Sequence, residues 1–79
     1  MFINKHNGNN NLCGTKVAFF RKQMKISQRE LANRLQLSGL DIDKNAIQRI
    51  EAGLRFVTDI EIVHLQKVLG VSFKDLLEI

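Results

Sequence analysis

Lys44, Asn45, Gln48 and Arg49 sit close together in the middle of the chain, interleaved with Ala46, Ile47 and Ile50. At helical spacing the three apolar residues share one face, and the four polar ones point the other way. Lys and Arg can donate to guanine O6 and N7, and Asn can pair bidentately with adenine N6 and N7. Gln48 could as well meet a backbone group or solvent. Taken alone, such a face reads as an ordinary solvated helix surface.

Other reactive types are sparse. Asp41-Ile42-Asp43 has the spacing of a cation-binding pair, but nothing nearby completes a shell, and Asp43 has a simpler use as a helix cap. Two carboxylates at this point would repel phosphates, so the outer edge of that segment is expected to face away from any polyanion. The lone Cys13 excludes an intramolecular disulfide scaffold and a multi-cysteine zinc site. It is expected as an incidental thiol rather than a redox sensor. His6 and His64 share no metal-ligand spacing, and His64 is expected at the surface. No nucleophile–base pair, carboxylate pair or Gly-rich phosphate loop can be assembled. The expectation is a non-enzyme with no metal and no cofactor.

Charge sharpens the picture. The chain has 79 residues and a net charge of +4, which is room for one hydrophobic core. Residues 1–56 hold ten basic and four acidic side chains, net +6, whereas residues 57–79 hold two basic and four acidic, net −2. A basic front and a slightly acidic back suggest a polyanion-facing surface joined to a separate packing surface. No apolar run approaches the roughly 20 residues that span a bilayer, and the start lacks the apolar core of a signal peptide. A soluble, cytoplasmic chain is expected, with no membrane association.

The elements that would position these groups are marked by caps. Residues 1–14 carry five Asn and two Gly, a composition expected to give a flexible arm. Residues 15–79 are expected to form the folded domain. Helix 1 should run from about Thr15 to Met24, with Val17, Phe20 and Met24 inward. Ser27 with Glu30 reads as a capping box opening a second helix, which carries Leu31, Ala32 and Leu35 inward and ends near Gln36. A loop from Leu37 to Ile42 follows. Asp43 then caps a third helix, which stops at Gly53. Thr58 with Glu61 opens a fourth helix, bearing Ile62, Leu65 and Leu69 and ending at Gly70. Ser72 with Asp75 opens a short fifth one, Phe73 to Leu77. The fold class expected is all-α, five helices with brief connections.

Between Ser27 and Glu51 the pattern becomes specific. Ser27-Gln28, Leu31-Ala32, Leu35, Ile47, Arg49-Ile50-Glu51 and Gly53 resemble the Cro/CI-type helix-turn-helix, the XRE or lambda-repressor-like family. The likeness continues through Leu65, Leu69-Gly70-Val71-Ser72 and Leu76-Leu77, and covers about Thr15 to Ile79. It implies a lambda-repressor-like five-helix domain with helices 2 and 3 as the helix-turn-helix. It also implies that Lys44, Asn45 and Arg49, with Gln48 beside them, read bases in the major groove of double-stranded DNA. Gln28 and Arg55 match positions that contact the phosphate backbone. Arg21 and Glu51 match a structural ion pair tying helix 1 to the end of helix 3.

Three departures stand out. Gly39 to Asp43 lengthens the turn before helix 3, which bears on its docking angle. Lys25 stands where the family often ends helix 1 with Gly. Gln66 replaces a small core Ala, so its amide is expected to reach an edge or a backbone group.

Two classes of function follow. The first is a sequence-specific transcriptional regulator, a repressor or autoregulator, bound as a homodimer to a palindromic site. Val71, Phe73, Leu76, Leu77 and Ile79 make the C-terminal region its expected dimer surface, unless they only close the monomer's core. The alternative is a protein-interaction module, or an antitoxin-like domain that binds a partner protein, with weak DNA binding. Exposed Lys44, Asn45 and Arg49 beside Gln28 and Arg55 favour the first.

Overall fold

A computed structural model of the chain describes Lys5 and residues 7–77. Its five helices are α1 (Gly14–Gln23), α2 (Gln28–Leu37), α3 (Lys44–Glu51), α4 (Asp59–Leu69) and α5 (Phe73–Leu77). The caps place them. Asp43 Oδ1 accepts from the Ala46 amide at 2.8 Å. Thr58 Oγ1 accepts from the Glu61 amide at 3.2 Å while Glu61 Oε1 accepts from the Thr58 amide at 2.9 Å. Ser72 and Asp75 make the same reciprocal pair at 3.0 and 3.2 Å. At α2 the expected box is only half formed. Ser27 Oγ takes the Glu30 amide at 3.0 Å, but the Glu30 carboxylate turns to Arg34 Nε at 3.0 Å. An exposed pair one turn along competes with the reciprocal cap.

Three helices end in one way. After α2 the Gly39 amide bonds to Gln36 O and the Leu40 amide to Leu35 O. After α3 the Gly53 amide bonds to Ile50 O and the Leu54 amide to Arg49 O. After α1 the Lys25 amide bonds to Lys22 O and the Ile26 amide to Arg21 O. This paired closure needs a left-handed residue, the conformation glycine tolerates best. Gly39 and Gly53 supply it, but at α1 the residue is Lys25, with φ 59°. A left-handed L-residue costs roughly 1–2 kcal/mol, against about 0.5–1 kcal/mol of extra backbone entropy for glycine. Lys25→Gly is therefore expected to raise stability by about 0.5–1 kcal/mol, read as a higher denaturant midpoint at unchanged slope.

The same closure explains the lengthened turn. Gly39 and Leu40 finish α2, Gln36 Nε2 donates to Ile42 O at 2.8 Å, and Ile42 is buried in the core. The extra residues are thus pinned at both ends and deliver the chain to Asp43.

The core is built from one face of every helix. Val17 of α1, Leu31 and Leu35 of α2, Ile47 and Ile50 of α3, Leu65 of α4 and Leu76 of α5 are fully buried. Phe20, Met24 and Ile62 pack against them, half-buried. Gln66 lies half-buried, and its Nε2 donates to Val71 O at 2.9 Å, so the polar amide closes the exit of α4.

Two expectations change. The Asn/Gly-rich segment is not a free arm over Asn9–Cys13. Asn10 and Asn11 hydrogen-bond to the exit of α3, and Cys13 is buried in the core. Asparagine side chains supply donors and acceptors that a composition argument counts only as polarity. Helix α1 accordingly begins at Gly14, whose amide donates to Asn11 Oδ1 at 2.8 Å. Met1 to Asn4 and His6 lie outside the described residues. Cys13 is likewise no incidental surface thiol. Burial pushes its pKa up to about 11, which keeps it neutral and unreactive near neutral pH.

Candidate nucleic-acid interface

Helix α3 presents two distinct faces. Ala46, Ile47 and Ile50 are buried, while Lys44, Asn45, Gln48 and Arg49 are all exposed. None of these four side chains has a hydrogen bond, ion pair or ring contact with another described residue. The result is a surface of two cations and two amides whose donors are all available to an external acceptor.

The supports of α3 are engaged. Arg21 of α1 grips Glu51 with two parallel bonds, Nε to Oε2 at 2.6 Å and Nη2 to Oε1 at 3.0 Å, while Nη1 donates to Ile26 O at 2.9 Å. Both side chains are nearly buried, at 11% and 8% exposure. The hydrogen bond to Glu51, partly opposed by burial, raises the Arg21 pKa still further. Gln28 joins this group, since its Nε2 donates to Glu51 Oε1 at 3.0 Å. One carboxylate thus joins α1, α2 and α3.

The two expected phosphate contacts are occupied by partners within the chain. The Gln28 amide group holds Glu51. What remains at the start of α2 is the second Nε2 hydrogen of Gln28 and the main-chain amides of Gln28 and Arg29, which the first turn of a helix leaves without an intrahelical acceptor. Arg55 forms a second bidentate pair, Nη1 to Glu61 Oε1 and Nη2 to Glu61 Oε2, both 2.9 Å, and Nη1 also donates to Phe56 O at 3.2 Å. Only Nε and half of Nη2 stay available. The Arg55 bond, opposed by burial and reinforced by the Thr58 amide, holds the Glu61 carboxyl below its ordinary range. Sequence spacing shows that Arg55 and Glu61 lie near each other, but only the turn between α3 and α4 makes them face.

His64 is half-buried, with Nδ1 2.8 Å from Ser38 Oγ. Because the Ser38 hydroxyl donates to Leu35 O at 2.6 Å, the imidazole must donate through Nδ1. It joins α4 to the end of α2 and is structural. Among the described residues no three His, Cys, Asp or Glu side chains cluster as metal ligands. No helix among them is long and apolar enough to cross a membrane.

The apolar C-terminal region divides. Leu76 is fully buried and Val71 packs on the core, so both close the monomer, whereas Phe73 and Leu77 remain exposed. Ile79 lies outside the described residues. Ile60 and Val63 of α4 and Leu54 and Phe56 of the preceding loop are exposed too.

A buried ion pair bracing a short, solvent-facing polar helix against two others defines a helix-turn-helix domain of the lambda-repressor type. The helix-turn-helix family model matches residues 17–76, and the chain belongs to this family, in its Cro/CI or XRE branch. It is a DNA-binding transcriptional regulator rather than an enzyme. Among solved structures it is similar to the restriction-modification controller protein C.AhdI from Aeromonas hydrophila. That match has a TM-score of 0.73 at 23% identity and covers 90% of this chain and 99% of the other. A search of curated proteins found no match.

Proposed function

We propose that the chain is a sequence-specific regulator, a repressor or autoregulator, that reads the major groove of double-stranded DNA with Lys44, Asn45, Gln48 and Arg49. The observation that carries this reading is the contrast on α3. Its supporting residues are bonded within the fold, while its four outward polar side chains have no partner among the described residues. The two free amides at the start of α2 and the remaining donors of Arg55 serve phosphate. The fold likeness to a restriction-modification controller protein supports a role in controlling transcription. Such a protein works beside DNA in the cytoplasm.

The exposed Ile60, Val63, Phe73 and Leu77 on α4 and α5 favour a protein contact in addition, which we assign to a second copy of the chain. A homodimer would place two α3 helices about one helical turn, roughly 34 Å, apart on a palindromic site. The alternative, a partner-binding module with weak DNA affinity, leaves the cations of α3 without a use.

Arg49→Ala is expected to cost about 1–3 kcal/mol on a preferred duplex and to relax preference at one base pair. Fluorescence anisotropy against a panel of single-base variants reads both. An equal loss on every duplex would move Arg49 from reading bases to holding phosphate.

A further inference from the structure

The segment before α1 is fastened to the far end of α3. Asn11 Nδ2 donates to Ile50 O at 3.1 Å and to Arg55 O at 2.8 Å, and its Oδ1 receives the Gly14 amide at 2.8 Å. Asn10 donates its main-chain amide to Gly53 O at 2.8 Å and its side-chain Nδ2 to Leu54 O at 2.9 Å. Four consecutive links thus run from this segment to carbonyls at or just past the end of α3, a place where helices leave carbonyls unsatisfied.

Both contact points are glycines, Gly14 because of close packing and Gly53 because its φ of 77° is left-handed. A Cβ at Gly14 would overlap the Ile50 carbonyl oxygen, and one at Gly53 would press on the Asn9 side chain. At Gly14 main chain meets main chain, so the start of α1 and the end of α3 are held at a fixed separation. The asparagines lie outside the residues 17–76 matched by the family. They act beside the Arg21–Glu51 bridge, which grips the same helix end through side chains.

We propose that Asn10 and Asn11 are positioning residues for DNA reading: they fix the exit of α3 against α1 and so decide which base edges Lys44, Asn45 and Arg49 reach. This rests on the DNA-reading function proposed above. Helix α3 has only eight residues, so a small rotation at its end moves every reading side chain together. The asparagines carry no charge. Loosening them should therefore spare the salt-dependent, sequence-independent part of binding and remove the sequence-dependent part.

The test compares Asn11→Ala and Asn10→Ala with the unaltered protein on two duplexes, one selected from a random pool by the unaltered protein and one scrambled. Each variant is also made with Lys25→Gly, which raises global stability from a site remote from the asparagines. All binding is measured well below the melting temperature. The expected result is an affinity for the selected duplex about tenfold weaker, the size of losing one good base contact, with scrambled-duplex affinity and salt slope unchanged. Lys25→Gly should raise the melting temperature but not restore the discrimination. Asn10→Ala keeps all of Asn11's bonds, so it reports even if Asn11→Ala fails to fold. Unchanged discrimination in both variants would overturn the proposal, as would its recovery with Lys25→Gly. If the unaltered protein itself fails to separate the two duplexes, the DNA-reading function falls, and this proposal with it.

Discussion

Arg21→Met should lower the stability of the domain by about 3–5 kcal/mol, the usual cost of stranding one member of a buried pair. The cost comes from what is left behind. Glu51, at 8% side-chain exposure, would lose both Arg21 bonds and keep only Gln28 Nε2. Glu51→Leu should cost less, because Arg21 retains its bond to Ile26 O and its long side chain can shift toward water. The double variant should cost clearly less than the sum, since an apolar pair of similar volume has no stranded charge. Its remaining penalty belongs to the orphaned Gln28 amide. Chemical denaturation of all four proteins gives the coupling. Effects that add within about 0.5 kcal/mol would mean that the bridge contributes nothing to the placement of α3.

Arg55→Met is expected to cost about 2–3 kcal/mol of stability, less than Arg21→Met because roughly a third of the Arg55 side chain is in water. The pH dependence follows from Glu61. Arg55 holds its carboxyl below the ordinary 4.5. A group with a depressed folded pKa contributes stability that is present above the unfolded value. That stability is lost as pH falls from about 4.5 through the lower folded value. Glu61→Gln, which can still cap the Thr58 amide, should flatten this acid limb while lowering stability at neutral pH. An acid limb identical to that of the unaltered protein would show that the pair does not titrate as described. DNA binding by folded Arg55→Met separates the two roles of Arg55. If its spare donors hold a phosphate, all duplexes weaken alike and the salt slope falls by about one. A clamp alone leaves the slope intact.

Much of this architecture was legible in the chain because local chemistry wrote it there. Ser27, Asp43 and Thr58 announce helix starts with their own side chains, and Gly39, Gly53 and Gly70 lie where the chain turns left-handed. The inward residues Val17, Leu35, Ile47, Ile50 and Leu65 follow from helical period alone, and all are fully buried. What could not be read was pairing across the fold. Composition predicts an arm where Asn10 and Asn11 instead cap an element some 40 residues away in sequence. Gln28 and Arg55, expected to hold phosphate, also bond to Glu51 and Glu61 within the fold, and no sequence mark announces those internal partners. Lys25 shows the converse: its position called for glycine, and the helix closes left-handed even without it.

The charge asymmetry takes a more definite form in the structure. Of the basic residues in the front half, Arg21, Arg34 and Arg55 are paired within the fold. Lys44 and Arg49 of α3 are not. The outward face of α3 is therefore one place where the surplus is available to a partner, as it is at Lys16, Lys22, Lys25 and Arg29, which form no ion pair among the described residues.

Selection of bound sequences from a random duplex pool, repeated with the triple variant Lys44→Ala, Asn45→Ala, Arg49→Ala, tests the reading role of α3 most directly. The unaltered protein should enrich a short two-fold symmetric sequence whose affinity falls steeply with salt. The triple variant should keep its melting temperature, because none of the three side chains is bonded to another described residue, and should enrich nothing. Recovery of the same sequence by the triple variant, or of none by the unaltered protein, would contradict it.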